Sequence, residues 1–107
     1  MKTIDLVLYP LEVRIASGKE AKQLASKEEA KGGGLTIDHT EDGYVLVLLF
    51  STRKDFVVHE LYHAVRFIRE FLGFDDKSQE AEAYLMQYLY CEYTRLAKVK
   101  KENTINP

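Results

Sequence analysis

Cysteine, excess charge and long apolar runs are all scarce in this sequence. The single cysteine, Cys91, excludes an intrachain disulfide and a thiolate cluster for a metal, so we expect a reducing compartment. With 15 basic and 17 acidic residues the formal net charge is −2, which excludes the basic field that attracts nucleic acid or an anionic membrane surface. We therefore expect neither nucleic acid nor a membrane as a partner.

Apolar segments are short throughout the chain. No apolar run approaches the roughly 18 residues that cross a bilayer. Asp5, Glu12 and Arg14 interrupt the N-terminal segment in which the apolar part of a signal peptide would lie, so the expected location is cytoplasmic. The remaining composition, with 46% hydrophobic and 30% charged residues in 107 positions, is typical of one folded domain spanning residues 1–107.

The N-terminal third predicts one strand and one helix. Apolar residues alternate over positions 4–15 across Pro10, which predicts an edge strand interrupted by the proline. Ser17 and Glu20 have the spacing of a capping box and predict a short, mostly solvated helix. Three glycines at positions 32–34 end this helix and predict a flexible joint.

A β-hairpin is predicted next. Residues 35–40 and 44–50 have strand patterns, and Glu41-Asp42-Gly43 between them is a strong turn signal. The first arm alternates and predicts an edge strand, whereas the second is apolar on both faces and predicts an interior strand.

Two helices are predicted in the second half. Positions 56–72 have helical apolar spacing before Gly73, and one sector of this helix is the predicted core face: Val57, Val58, Leu61, Ala64, Val65, Ile68 and Leu72. Another helix begins at Asp76 or Ser78 and runs to about residue 98, after which we expect a frayed tail. The predicted class is α+β, with a small antiparallel sheet packed on two helices.

The first of these helices carries the sequence HELYH at residues 59–63, an instance of HExxH. His59 and His63 are one helical turn apart, opposite the core face, so their imidazoles can hold one zinc ion. Glu60 lies between them and is the candidate general base. Zinc lowers the pKa of a bound water to about 7, so the pattern predicts hydrolysis of a peptide bond.

A catalytic zinc site typically needs a third protein ligand. Glu80 follows His63 by 17 residues, enough for the chain to turn and lay an antiparallel helix over the histidines, so Glu80 is preferred. Glu82 points about 200° away from Glu80 on that helix, so only one of them can face the metal, and helical projection alone does not decide between them. Asp75 and Asp76 are further carboxylates nearby, and His39 is a weaker candidate on a strand.

Groups that could stabilise a developing oxyanion are less well specified. Tyr84, His39, Tyr62 and Arg66 are all candidates for this role or for hydrogen bonds around the site.

Residues 57–93 resemble the gluzincin type of zinc metallopeptidase, and more narrowly the compact HExxH metallopeptidases common in phages and prophages. The resemblance rests on HELYH and on a following E-x-x-A-Y, matched here by Glu80, Ala83 and Tyr84. It implies a small zincin-like domain, Zn²⁺ held by His59, His63 and Glu80 rather than Glu82, and Glu60 as the base. It also implies an edge strand that pairs with an extended peptide or protein substrate.

Two other functions are compatible with the same residues. In a metal-stabilised binding module, zinc would serve the fold and catalysis would be absent. In a metal-free interaction protein, HExxH would be a coincidence, with a chance of about 0.8% at this composition. The role of Glu60 distinguishes the metal-stabilised binding module from a peptidase, because a structural metal site needs ligands but no base.

Overall fold

The computed structural model describes residues 1–73 and 79–105, with side chains as far as Lys98, and over these residues the chain forms four strands and three α-helices. The strands are β1 (Lys2–Asp5), β2 (Glu12–Ser17), β3 (Gly34–His39) and β4 (Tyr44–Leu49). The helices are α1 (Gly18–Gln23), α2 (Lys54–Leu72) and α3 (Gln79–Ile105), with 3₁₀ turns at Glu29–Lys31 and Thr40–Asp42. The expected helix start at Asp76 or Ser78 lies outside the described residues.

The sheet has the order β1-β2-β4-β3. β1 pairs antiparallel with β2, and β3 pairs antiparallel with β4, but β2 and β4 are parallel. The α+β class is confirmed, while the expectation of a purely antiparallel sheet is wrong, because β2 and β4 belong to different hairpins that meet side by side. The β3–β4 hairpin is confirmed with β3 at the edge, and Gly43 closes its turn at φ 93°, a conformation that glycine adopts without strain.

The N-terminal alternation is divided between two strands. Ile4 pairs with Val13 across a tight reversal at residues 7–10, in which the Leu6 amide donates to the Leu11 carbonyl at 3.1 Å. The prediction of one interrupted strand is therefore wrong. Apolar residues alternate in the same way in one interrupted strand and in a hairpin, so the alternation does not distinguish them. Pro10 lies in the turn rather than within a strand.

The first helix is shorter than its sequence pattern predicts. Ser17 makes no capping hydrogen bond with its side chain, and α1 ends at Gln23. The reciprocal capping box forms instead between Ser26 and Glu29: the Ser26 amide donates to Glu29 Oε1 at 2.8 Å, and the Glu29 amide donates to Ser26 Oγ at 3.2 Å. The hydrogen bond from the Ser26 amide is the main cause that lowers the pKa of the Glu29 carboxyl, and the Ser26 side chain contributes a smaller effect in the same direction.

Helices cover both faces of the sheet. α2 and α3 pack on the face that carries Val13, Ile15, Val45 and Val47, and α1 packs on the opposite face against Leu48. Most of the predicted core face of α2 is buried, but Val58 is 43% exposed, because it lies at the margin of the apolar sector next to His59.

α2 ends before Gly73, as predicted. Gly73 has a positive φ of 73°, and its amide donates a hydrogen bond to the Arg69 carbonyl. α3 extends to Ile105, into the segment for which we expected fraying. In the described part of the chain, no helix is long and apolar enough to cross a membrane.

Gly33 and Gly34 are positions of close packing rather than a flexible joint. A Cβ on Gly33 would collide with the ring of Phe56, and a Cβ on Gly34 would lie 2.6 Å from Glu60 Cγ. Because these two glycines have no side chains, the edge strand β3 can approach α2 at Glu60.

Candidate metal centre

His59 and His63 lie on the exposed side of α2, as the helical projection predicts. Residues four apart in a helix are neighbours on its surface, and here the two Nε2 atoms are 3.2 Å apart. The ring planes are inclined at 78° with centroids 4.8 Å apart, so both rings bring their outer nitrogens to one point.

This separation matches two corners of a zinc tetrahedron. With Zn–N bonds of about 2.0–2.1 Å, two nitrogens of a tetrahedral site are about 3.3 Å apart. The side chains therefore fit two ligand positions with little rearrangement. The same separation is a hydrogen-bond distance, which neutral imidazoles satisfy when one Nε2 donates and the other accepts.

Glu60 points toward the sheet and is only 5% exposed. Thr36 on β3 lies beneath it, with Oγ1 at 2.7 Å from Glu60 Oε1 and 3.0 Å from the Glu60 carbonyl oxygen. The single hydroxyl hydrogen serves one of these acceptors at a time. Of the two carboxylate oxygens, Oε1 is the one that Thr36 contacts.

Glu80 and Glu82 have different environments at the start of α3. Glu80 is exposed. Glu82 faces α2 and is 16% exposed, with its oxygens 3.6 Å from Arg66 Nη1 and 3.8 Å from Arg69 Nε. The glutamate that turns toward the motif helix therefore contacts arginines rather than histidines.

Removal of the two glutamates is expected to affect stability unequally. Glu82→Ala leaves Arg66 and Arg69 side by side without the carboxylate between them, so we expect the free energy of unfolding to fall by about 1–2 kcal/mol. Glu80→Ala changes an exposed side chain, and we expect a change within about 0.5 kcal/mol. Urea unfolding of both variants measures the difference, and equal losses would contradict the different environments of the two carboxylates.

His39 and Tyr84 lie away from the histidine pair. Along β3, Thr36 is on the α2 face, so His39, three residues on, is on the opposite face, where it stacks on Tyr44 at 4.8 Å. Tyr84 is 66% exposed and lines a groove beside residues 6–9. His39 is therefore separated from the histidine pair by the sheet, whereas Tyr62 and Arg66 lie on α2 itself beside His63.

The structure thus assembles part of the predicted site. His59 and His63 come together on the exposed side of α2, but Glu60 points toward the sheet, and residues 1–73 and 79–98 contain no group of three or more His, Cys, Asp or Glu side chains placed to hold a metal. Glu80 is therefore not gathered with the histidines, and Asp75 and Asp76 lie outside the described residues. Sequence reasoning missed Thr36 and Gly34, because alternation with Leu35 and Ile37 places a polar Thr36 on the solvent side rather than on the α2 face, where it lies.

Compared with protein family models, with curated proteins and with solved structures, the chain matches none of them.

Proposed function

We propose that this protein is a zinc-dependent peptidase in which His59 and His63 hold the metal and Glu60 is the general base. The observation that carries the proposal is the 3.2 Å separation of the two Nε2 atoms on the exposed side of α2. In the sequence, Glu60 lies between them in HExxH, a pattern that combines two metal ligands with a base.

Zinc bound there would supply a water that is acidic near neutral pH and would polarise the substrate carbonyl. With the metal bound, Glu60 would be the residue that accepts a proton on its carboxylate and returns it to the leaving amine. Thr36 holds one carboxylate oxygen, Oε1, and fixes the direction of the carboxylate. Glu60 is only 5% exposed, so its contact with bulk water is small.

The proposed third ligand is Glu80. Among the described residues Glu80 makes no ion pair, so it can turn to a metal without breaking an existing interaction. Glu82 would first have to leave the guanidinium groups of Arg66 and Arg69. The E-x-x-A-Y resemblance favours the same choice.

The proposed substrate is an extended peptide. β3 is the edge of the sheet, and no described strand pairs with its outer side. A peptide added to that side would run past Thr36, on the strand that contacts Glu60. Main-chain pairing of this kind selects for extended conformation more than for side chains.

The test is hydrolysis of a mixture of synthetic peptides by the zinc-loaded protein, followed by mass spectrometry. We expect fragments that disappear when 1,10-phenanthroline removes the metal and return when zinc is restored. His63→Asn should give no fragments, and His39→Asn should retain the activity because His39 lies on the other face of the sheet. A fully zinc-loaded protein that cleaves nothing would contradict the proposal.

One observation favours the alternative of a metal-stabilised binding module. Glu60 is buried and bonded to Thr36, so its carboxylate also ties α2 to β3. In that function the Glu60→Gln variant, which retains a side-chain acceptor for Thr36, would behave as the wild type in every assay.

A further inference from the structure

An apolar surface lies away from the histidines, where the β1–β2 turn meets the first turns of α3. We call it the tip-groove surface: the tip is Val7, Leu8 and Tyr9, and the groove is the space of about 310 Å³ between residues 6–9 and α3, where Tyr84 and Tyr88 are its largest side chains. A hydrogen bond to β1 holds the Tyr88 side chain in position: the Tyr88 hydroxyl donates to the Asp5 carbonyl at 2.8 Å.

Several side chains of this surface are largely exposed. Val7 is 81% exposed, Leu8 is 85% exposed and Tyr84 is 66% exposed. Residues 6–11 are uncharged over the whole turn, so polar neighbours in sequence do not cover the tip. With a whole aromatic side chain presenting about 150–250 Å², the exposed parts of the tip, Tyr84 and Tyr88 amount to roughly 500–600 Å². This is the upper end of the range for the largest apolar patch on a typical monomer, and such patches are often functional.

We propose that the tip-groove surface is the interface of a symmetric homodimer. A protrusion and a recess lie side by side on one surface, so a two-fold axis between two copies places each tip over the groove of the other. Leu8 of one copy then packs on Tyr84 of its partner, and the same contact is made a second time. Tyrosine-rich, charge-poor patches are typical of interface centres.

The area of the tip-groove surface is consistent with a second copy of the chain as its occupant. Burial of the patch on both copies removes roughly 1,000–1,200 Å² from these side chains, which reaches the level of about 1,000 Å² that a biological interface should clear. An anionic membrane is a poor occupant, because the acidic residues Asp5 and Glu12 flank the tip. The proposal involves neither zinc nor His59 and His63, so it stands or falls separately from the proposed peptidase.

The experiment is sedimentation equilibrium of the full chain over a wide concentration range. We expect a monomer–dimer equilibrium for the wild type and association at least about tenfold weaker for Leu8→Lys and for Tyr84→Glu, since each places two charges in a desolvated interface. The matched control is Leu24→Glu, because Leu24 is 49% exposed at the end of α1, away from the surface. Thermal unfolding confirms that each variant is folded.

Mixing the two weakened variants tests the reciprocal arrangement. In a mixed dimer Lys at position 8 of one copy faces Glu at position 84 of the other, and the second contact is wild type, so the dimer should return. A wild type that stays monomeric over the whole concentration range would overturn the proposal. A dimer that both substitutions leave intact, or that mixing fails to restore, would also overturn it.

Discussion

Replacement of Glu60 by glutamine is expected to lower the rate of peptide hydrolysis about 10²–10⁴-fold while zinc content remains that of the wild type. Glutamine has the shape of glutamate and still accepts the hydrogen bond of Thr36, but it cannot take a proton from water. Initial rates with one cleaved peptide, measured at equal zinc content, give the ratio.

Thr36→Val is the matched control for this prediction. It removes the hydroxyl that lies 2.7 Å from Glu60 Oε1 and leaves the carboxylate as a base, so we expect a much smaller loss of rate and some loss of stability. If Glu60→Gln cleaves as fast as the wild type, Glu60 serves only to join α2 to β3.

The second large effect is expected from Gly34→Ala. The new Cβ would lie 2.6 Å from Glu60 Cγ and 2.9 Å from the Leu48 carbonyl oxygen, so either α2 or β4 must move. We expect the free energy of unfolding to fall by about 1–3 kcal/mol. For a domain of this size that corresponds to a melting temperature lower by roughly 4–8 °C per kcal/mol.

Gly32→Ala provides the comparison for that loss. A Cβ on Gly32 meets only the Gly34 carbonyl oxygen at 3.9 Å, so this substitution should leave the melting temperature unchanged or slightly raised. Similar melting temperatures for both variants would show that the glycines act as a joint, as their sequence suggests, and not as the contact between β3 and α2.

The features predicted correctly from sequence are those with local causes. Asp42-Gly43 specifies the β3–β4 turn through the backbone of Gly43, and the helical spacing before Gly73 specifies α2 and the exposed side that carries His59 and His63. These signals depend on residues within one turn or one hairpin. Tertiary structure therefore changes them little.

The features that sequence reasoning missed depend on contacts between distant segments. The pattern of residues 4–15 is equally compatible with one strand and with a hairpin, and pairing with β4 decides between them. Gly34 and Thr36 acquire their roles only when β3 packs on Glu60, which is 24 residues from Thr36. The choice between Glu80 and Glu82 depends on how α3 rotates against α2, which the apolar spacing of α3 does not define.

The most direct test of the zinc centre is the zinc content per chain of protein purified without a metal-binding tag, after identical dialysis of four forms. We predict close to one zinc in the wild type and in His39→Asn, and loss of zinc in His63→Asn and in Glu80→Ala. If Glu80→Ala retains zinc while His63→Asn loses it, Glu80 is not the third ligand. No zinc in the wild type, with a melting temperature that chelation does not change, would contradict the metal centre itself.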